Sequence, residues 1–329
     1  MREASGTRIA KAGLCSNIRG VANKVILAGG RGFLGQSLAR RLAAVGWDVV
    51  VLTRHPRAGA AFRELAWDGA TTGAWAAELD GADALVNLTG RSVDCVHDAA
   101  NRRLILESRV NSVRVLGVAL AGCRRPPSVW VQCASLALYG DAGDRICTED
   151  APVAEDFSAQ VCRQWEAALA AVPAPATRKV CLRIGLVLGP AGGALAPLAR
   201  LARWFLGGAV GSGRQYLSWL HHEDMNELFW RALTEPGLHG AYNACAPNPV
   251  TNAEFMRELR GVLGRPWSPP TPAWAVRFGA RFLLRTDANL ALTGRRCVPA
   301  RLQAAGFPFQ YPVVGAALRD LLKPSGGPV

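Results

Sequence analysis

Three glycines follow a short apolar run near the start of the chain, at a spacing that suits phosphate binding. Residues 25–28 are apolar, and Gly29, Gly32 and Gly35 then lead into a helical pattern. In such a turn the backbone N–H groups and the positive end of the helix approach a pyrophosphate, and a side chain at either of the first two glycines would block that approach. The third glycine lets the helix lie close to the strand. The pattern predicts dinucleotide binding, although an ordinary strand-to-helix turn without a ligand has the same glycines.

The end of the next predicted strand indicates which dinucleotide is bound. The β-branched run 48–53 ends in Thr53 and is followed by Arg54. About twenty residues beyond the glycines, an NAD site usually carries an acidic residue that bonds the ribose hydroxyls. A guanidinium at that place suits a 2′-phosphate instead, because it is always charged and donates through two nitrogens. We therefore predict NADP(H), with a solvated surface arginine as the alternative.

Strands and helices that could position these residues alternate through the first half of the chain. Apolar residues recur at helical spacing from Leu34 to Val45, and Gly46 ends this segment. Strands are expected at 83–90, 128–133 and 179–184, and helices at 104–123 and 155–171, the latter capped by Asp150 or Asp156. This alternation predicts an α/β fold, a Rossmann-type doubly wound parallel sheet.

The composition of the chain changes after residue 190, where glycine, proline and tryptophan cluster. We expect a Rossmann domain over 23–245, in which 190–217 contributes to the substrate side, and a smaller C-terminal α/β substrate domain over 246–329. Residues 1–22 contain four basic residues and few apolar ones, so a disordered tail is expected. An organellar transit peptide and a true start near Val21 remain open.

Composition and charge exclude some classes of partner. The formal net charge is +13, yet the arginines are scattered and no run of five or six basic residues with interleaved aromatics occurs. Half of the residues are hydrophobic, but no stretch approaches the roughly eighteen apolar residues of a membrane span. We expect a small-molecule substrate, and neither nucleic acid nor membrane as a partner.

The nine cysteines of the chain are widely spaced and lack the paired spacing of zinc or redox sites. Several of them, including Cys133 and Cys181, fall inside predicted strands. Buried free thiols in a reducing cytoplasm explain this pattern best, so we expect a cytoplasmic protein without a metal.

Taken together, these motifs resemble the short-chain dehydrogenase/reductase superfamily, in its atypical extended "epimerase family" branch, sometimes labelled cell-division-inhibitor-like. The resemblance runs from about Lys24 to Leu322. Besides the glycine turn, the segments that carry it are 86–90, Ser108-Arg109, 139–141, 183–189, Trp219-Leu-His221 with Asp224, Tyr242-Asn243 with 251–252, and the C-terminal block 298–301, 305–307 and 311–312.

The resemblance implies a set of cofactor contacts. The turn glycines would hold the pyrophosphate together with Phe33 and Leu34, whereas Thr53 and Arg54 would bind the 2′-phosphate. Leu88 and Thr89 would contact the adenosine side of the cofactor. Arg109 would reach the cofactor from its helix.

Arg31 departs from the small or hydroxyl residue expected inside the glycine turn. Its side chain would either add a phosphate contact or crowd the site, and we favour the added contact.

The catalytic residues of the superfamily are only partly present. Its enzymes transfer a hydride while a tyrosine, whose pKa is lowered by a lysine four residues later, passes a proton and a serine positions the substrate oxygen. No tyrosine of this chain has a lysine four places on, and the expected positions hold Ser158 and Cys162. Ser135 would instead bond a carbonyl and Tyr139 would donate a proton, or both would only shape the pocket.

A similar choice concerns His221, which is either a structural residue beside a helix that Asp224 caps or an auxiliary acid.

A predicted cofactor site together with an incomplete catalytic set leaves two possible functions. The first is an NADPH-dependent oxidoreductase or epimerase that acts on a small, nucleotide-linked substrate. The second is a non-catalytic NADPH-binding sensor, which the absent lysine favours. By analogy with the superfamily, the helix at 104–123 would form a homodimer.

Overall fold

The structure is a computed structural model that describes residues 22–190 and 192–322. The predicted tail, residues 1–22, lies outside the described residues except for its last member. The described strands are β1 (Lys24–Ala28), β2 (Asp48–Thr53), β3 (Arg63–Ala66), β4 (Ala84–Asn87), β5 (Val129–Ser135), β6 (Ile146–Cys147), β7 (Arg178–Ile184), β8 (Leu186–Leu188), β9 (Tyr216–Leu217), β10 (Trp219–His221), β11 (Gly240–Ala244), β12 (Val250–Thr251) and β13 (Arg296–Cys297).

Helices connect and cover these strands. The described α-helices are α1 (Phe33–Ala44), α2 (Ala99–Ala121), α3 (Phe157–Ala171), α4 (Leu195–Arg203), α5 (His222–Thr234), α6 (Asn252–Val262), α7 (Ala273–Gly279), α8 (Asn289–Leu292), α9 (Ala300–Ala304) and α10 (Val314–Leu322). Short 3-10 helices span Ala74–Leu79 and Leu136–Tyr139, and a π-helical turn, Ala280–Leu284, continues α7.

Seven strands form one parallel sheet in the order β11-β7-β5-β4-β1-β2-β3. The chain order reverses between β1 and β4, and in sheets of this kind the crevice at that point, beyond the carboxyl ends of the strands, is where ligands bind. The glycine turn follows β1 directly, so the sheet places it at this crevice.

The sheet is covered on both faces, as a doubly wound fold requires. On one face α1 and α5 share a core with β-strand side chains, and on the other α2 and α3 pack around Trp130 and Trp165. Apolar residues of α6 and α10 belong to the first core, which anchors the C-terminal part of the chain to the sheet. The predicted Rossmann-type α/β fold with a smaller C-terminal region is confirmed; the boundary at 245/246 stays a prediction.

Most predicted elements are present, with shifts at their ends. The structure has β2 at the predicted residues, and Gly46 follows α1 with a φ of 85°. The predicted helix at 104–123 begins earlier, at Ala99, because the Asp98 side chain accepts a hydrogen bond from the Asn101 N–H and caps it. Of the two candidate caps for α3, Asp156 is the actual one. The sequence analysis did not identify β3 and β11.

Within residues 22–190 and 192–322, no helix is long and apolar enough to cross a membrane. The eight cysteines in this part of the chain are all free, in agreement with the expected thiols.

One charged cluster outside the crevice stabilises the sheet edge and should respond to pH. Glu78 accepts hydrogen bonds from two nitrogens of Arg63, at 2.6 and 2.5 Å, and from Lys24 Nζ at 2.5 Å. These bonds lower the pKa of the Glu78 carboxyl from 4.5 to about 2. Because the folded-state pKa is the lower one, the stabilisation is complete above about pH 4.5 and is lost as the pH falls toward 2.

We expect Glu78→Gln to lower the free energy of unfolding by about 1 kcal/mol at neutral pH, a figure reduced for solvent screening. The difference from the original protein should shrink as the pH falls, and urea denaturation at several pH values measures it. Glu107→Gln is the control, because Glu107 is more exposed and its one ion pair among the described residues is with Arg103, at 3.8 Å. Equal stability of the Glu78→Gln and original proteins at neutral pH would contradict the assignment.

Candidate functional site

The glycine turn has the close packing that its sequence predicts. Gly29 has a φ of +74°, and a Cβ there would lie 2.9 Å from Thr89 Oγ1. A Cβ at Gly35 would lie 2.3 Å from the carbonyl oxygen of Gly30, so this glycine lets α1 approach the turn. A Cβ at Gly32, the N-cap of α1, would meet nothing within 4 Å. The Cα of Gly32 therefore faces open space at a helix start whose N–H groups lack intrahelical acceptors.

Phe33 lies beneath a glycine-rich loop that follows β8. A Cβ at Gly189 would be 2.3 Å from the Phe33 ring, and one at Gly192 would be 2.8 Å from it. The ring thus fits only because these two residues lack side chains. Leu34, the next residue of α1, packs against the core on the α1 side of the sheet.

Arg31 extends from the glycine turn toward the segment after β2. Its Nη1 donates to the carbonyl of His55 at 2.6 Å, and its Nε lies 3.7 Å from Glu64 Oε1. Glu64 also accepts from the Arg57 N–H at 2.8 Å. These contacts hold the side chain of Arg31 toward the segment after β2, and its expected phosphate contact stays a prediction.

A pocket of about 510 Å³ opens beside Arg31 and is lined also by Arg57, Glu64 and residues 58–62. Arg54, at the end of β2, is exposed and has no carboxylate partner among the described residues. Thr53 Oγ1 accepts a long bond of 3.5 Å from the His55 N–H. Arg31 and Arg57 thus line this pocket, whereas Arg54 does not line it and is placed nearby only by following β2 directly.

The end of β4 forms the opposite wall of the glycine turn. The Thr89 N–H donates to Asn87 Oδ1, and the buried Asn87 amide in turn donates to Ser112 and Gln132. Thr89 Oγ1 is buried and has no hydrogen-bond partner in the described part of the protein. Leu88, the residue before it, is half-buried. An unpaired hydroxyl against Gly29 is what a polar ligand would satisfy.

Arg109 lies on α2 and faces α3. Its Nη1 donates to the carbonyls of Ile105 and Arg91, and its guanidinium carbon is 5.1 Å from the centre of the Trp165 ring. Burial lowers the pKa of Arg109, and no carboxylate forms an ion pair with it among the described residues. Burial raises the pKa of the Cys162 thiol, on the same face of α3, to about 12, despite the charge of Arg109.

Ser135 and Tyr139 lie at the end of β5 and in the 3-10 helix that follows. Ser135 is half-buried, and its Oγ accepts from the Ala137 N–H at 3.1 Å. The Tyr139 side chain is fully buried; its hydroxyl donates to Asn243 Oδ1 at 2.9 Å and accepts from Arg183 Nη1 at 2.8 Å. Burial raises the pKa of this hydroxyl. This geometry favours a structural role for Tyr139, and its catalytic role stays a prediction.

A buried polar network that the sequence analysis missed surrounds Tyr139. Arg183 donates two bonds to Glu166, at 2.9 and 2.8 Å, and a third to the carbonyl of Glu149. Asn243 donates to the carbonyls of Cys147 and Val298, and its own N–H bonds to Glu149. Three of the segments that carry the family resemblance, at 183, 243 and 298, each contain a member of this network. They were the sequence signal that could have indicated it.

His221 is itself the N-cap of α5, where its Nδ1 accepts from the Glu223 N–H. The predicted cap, Asp224, instead accepts from the N–H groups of Gln310 and Tyr311, so that prediction was wrong. Burial, followed by the neighbouring His222, lowers the pKa of His221 to about 4. Its ring stacks on Tyr311 at 3.8 Å, which supports the structural interpretation of this histidine.

A second missed contact joins the two parts of the chain. His97, in the segment between β4 and α2, has Nδ1 at 3.2 Å from Asp287 Oδ2, and its side chain is only 8 % exposed. The Arg102 side chain donates to the His97 carbonyl. Nothing in the local spacing of His97 predicts this contact, because its partner lies far along the chain.

Comparison with known proteins assigns both parts of the chain. Residues 25–245 match the profile of the NAD dependent epimerase/dehydratase family, and residues 271–321 match a domain of unknown function, DUF1731. The Epimerase family protein SDR39U1 of Bos taurus is 35 % identical over 306 residues, which cover 91 % of this chain and 99 % of that protein.

Two solved structures show the same fold at comparable identity. Human epimerase family protein SDR39U1 (isoform 2), crystallised with NADPH, is 33 % identical, with a TM-score of 0.81 over 91 % of this chain and 98 % of that one. A nucleoside-diphosphate sugar epimerase from Corynebacterium glutamicum is 31 % identical, with a TM-score of 0.74 over 92 % of this chain and 59 % of that one. The sequence analysis predicted NADP(H), the cofactor type in the human structure.

From these matches and the parallel sheet with its glycine turn, we conclude that the chain belongs to the NAD dependent epimerase/dehydratase family, in the extended short-chain dehydrogenase/reductase branch with the DUF1731 domain.

Proposed function

We propose that this protein binds NADPH at the crevice between β1 and β4 and acts as an oxidoreductase or epimerase on a small molecule. The observation that carries the proposal is the path of Arg31, which leads from the glycine turn to the pocket beside Arg57 and places cationic charge beyond β2. Arg54, which has no carboxylate partner among the described residues, adds a second guanidinium there. Guanidinium groups at this place suit the 2′-phosphate that distinguishes NADPH from NADH.

The remaining contacts fit the same cofactor. The backbone N–H groups at the start of α1 would hold the pyrophosphate, with Gly32 leaving the approach open. The unpaired Thr89 hydroxyl and Leu88 would lie at the adenosine side. When bound, the nicotinamide supplies or accepts a hydride.

Two side chains would act on the substrate. Ser135, at the carboxyl end of β5, would hydrogen-bond a substrate carbonyl oxygen. Arg109 supplies a positive charge beside Cys162, where the superfamily carries its lysine. Its guanidinium stays protonated near neutral pH, so it would stabilise developing negative charge but would not transfer a proton. Tyr139 would position the end of β5 through its two buried bonds.

The proposed substrate class is taken from the description of a similar protein. The C. glutamicum protein is described as a nucleoside-diphosphate sugar epimerase, and a nucleotide-linked substrate is accordingly our proposal for this chain. A homodimer through α2 and a cytoplasmic location stay predictions.

A second function is supported by a separate observation. Ser158 and Cys162 replace the proton-transfer pair, and the Tyr139 hydroxyl is engaged on both sides. A protein that binds NADPH without turnover, and whose partners respond to that binding, would have these features.

The cofactor proposal predicts a clear preference for NADPH over NADH in a fluorescence titration. Arg54→Asp should abolish or reverse the preference, because a carboxylate repels the 2′-phosphate and suits free ribose hydroxyls. Arg31→Met should weaken NADPH about tenfold or more and leave NADH nearly unchanged, since a bond to a charged group is lost. Arg114→Asp, on the exposed surface of α2, is the charge-matched control for Arg54→Asp. Equal binding of NADH to the unaltered protein would overturn the assignment of Arg54.

A screen of carbonyl and sugar-nucleotide substrates that follows NADPH absorbance distinguishes the proposed catalytic roles of Ser135 and Tyr139. Ser135→Ala should abolish turnover while NADPH affinity and thermal stability are kept. Tyr139→Phe should lower the free energy of unfolding by about 1–3 kcal/mol, because buried Asn243 and Arg183 each lose a partner. Tight NADPH binding without turnover of any substrate would support the sensor. A stable Tyr139→Phe protein that has lost only turnover would restore Tyr139 as the proton donor.

A further inference from the structure

Several exposed aromatic side chains lie in the C-terminal region of the described chain. Trp274, Phe278 and Phe282 follow one another at intervals of four along α7 and its π-helical extension, and Trp274 is 72 % exposed. The rings of Phe278 and Phe282 lie 4.9 Å apart. Spacing of four residues places all three on one side of the helical segment.

A second segment extends this surface. Trp204, Phe205 and Leu206, directly after α4, are all exposed, as is Trp267; Trp204 is 75 % and Trp267 67 % exposed. The Ser268 hydroxyl donates to the Phe205 carbonyl at 2.6 Å, and the Thr271 N–H donates to the Ala209 carbonyl at 2.8 Å. These bonds hold the segment 204–211 against the segment that leads into α7. We call the combined surface, residues 204–206, 267, 274, 278 and 282, the aromatic face.

The sequence segments that form the aromatic face carry only positive charges. No aspartate or glutamate occurs between Glu258 and Asp287 or between Glu166 and Glu223. None of the exposed arginines that flank the face has a carboxylate partner among the described residues; they are Arg200, Arg203, Arg277, Arg281 and Arg285. Soluble proteins rarely expose large apolar side chains in such a group, and surfaces of this kind mark interaction sites.

We propose that the aromatic face binds the surface of an anionic lipid bilayer. Exposed tryptophans flanked by arginines are typical of a helix that lies in the plane of a membrane, with its apolar side in the headgroup region. The twelve helical residues from 273 to 284 extend about 18 Å, too short for a span, so the contact is peripheral. Our expectation of no membrane partner rested on the lack of a span, which such a contact does not need.

A second copy of the chain fits the aromatic face less well. Pairing two such faces would bring at least five unpaired arginines of each copy together, and like charges at that range repel. A negatively charged bilayer neutralises the same arginines and attracts each of them from solution.

Co-sedimentation of the full chain with vesicles tests the proposal. The protein should bind phosphatidylcholine vesicles that contain phosphatidylglycerol, bind pure phosphatidylcholine vesicles weakly, and dissociate as salt is raised. Trp274→Ala/Phe282→Ser and Arg277→Glu/Arg281→Glu should each reduce the bound fraction at least tenfold. All four side chains are exposed, so the variants should keep the original thermal unfolding.

Matched controls lie outside the aromatic face and outside α2. Val153→Ser replaces an exposed apolar residue between β6 and α3, and Arg124→Glu/Arg163→Glu makes the same charge change after α2 and on α3. Both should bind vesicles like the original protein. No sedimentation of the original protein with anionic vesicles overturns the proposal. An equal loss of vesicle binding in the charge control also overturns it, because net charge alone would then explain the binding. Concentration-dependent self-association that the face variants abolish, without any vesicle binding, overturns it as well.

Discussion

The bidentate ion pair between Arg183 and Glu166 is the interaction on which the rest of the crevice depends. It joins β7 to α3 beneath the carboxyl edge of the sheet, and the remaining donors of Arg183 hold the Tyr139 hydroxyl and the Glu149 carbonyl. Only 12 % of the Arg183 side chain is exposed. A charge buried to this degree needs its partner, because removing one member leaves the other desolvated and unpaired. The pair therefore fixes the geometry of three segments at once.

Charge is used differently in the interior and at the crevice. Arg183, which is held inside the protein, has a carboxylate within bonding distance. Arg54 and Arg109, at the two ends of the crevice, have no carboxylate partner among the described residues. An unpaired cation beside a helix start attracts a ligand with several phosphates, since the backbone dipoles and the guanidinium act in the same direction. The excess positive charge of the chain is thus partly local and directed at a ligand.

The sequence predicted what depends on neighbouring residues and missed what depends on distant ones. The glycine turn and β2 are each specified within a few residues, so pattern and spacing were sufficient, whereas the cap of α3 was narrowed only to Asp150 or Asp156. In contrast, β3 is a short edge strand that contains Arg63 and Glu64, and β11 contains a buried Asn243, so neither has the apolar run of a central strand. The bond from Tyr139 to Asn243 joins residues 104 positions apart, which no local pattern reveals.

The absent lysine also has a physical consequence for the kind of catalysis this crevice could perform. In the superfamily one helix carries both the proton donor and the cation that lowers its pKa. At Cys162, where the resemblance to the superfamily implies the lysine, burial raises the pKa of the thiol to about 12, and a cation, Arg109, lies on the facing helix. The charge is kept, but a guanidinium does not release its proton near neutral pH. Turnover without Tyr139 as the proton donor would therefore rely on electrostatic stabilisation of the substrate oxygen, with its proton supplied by water or by the substrate itself.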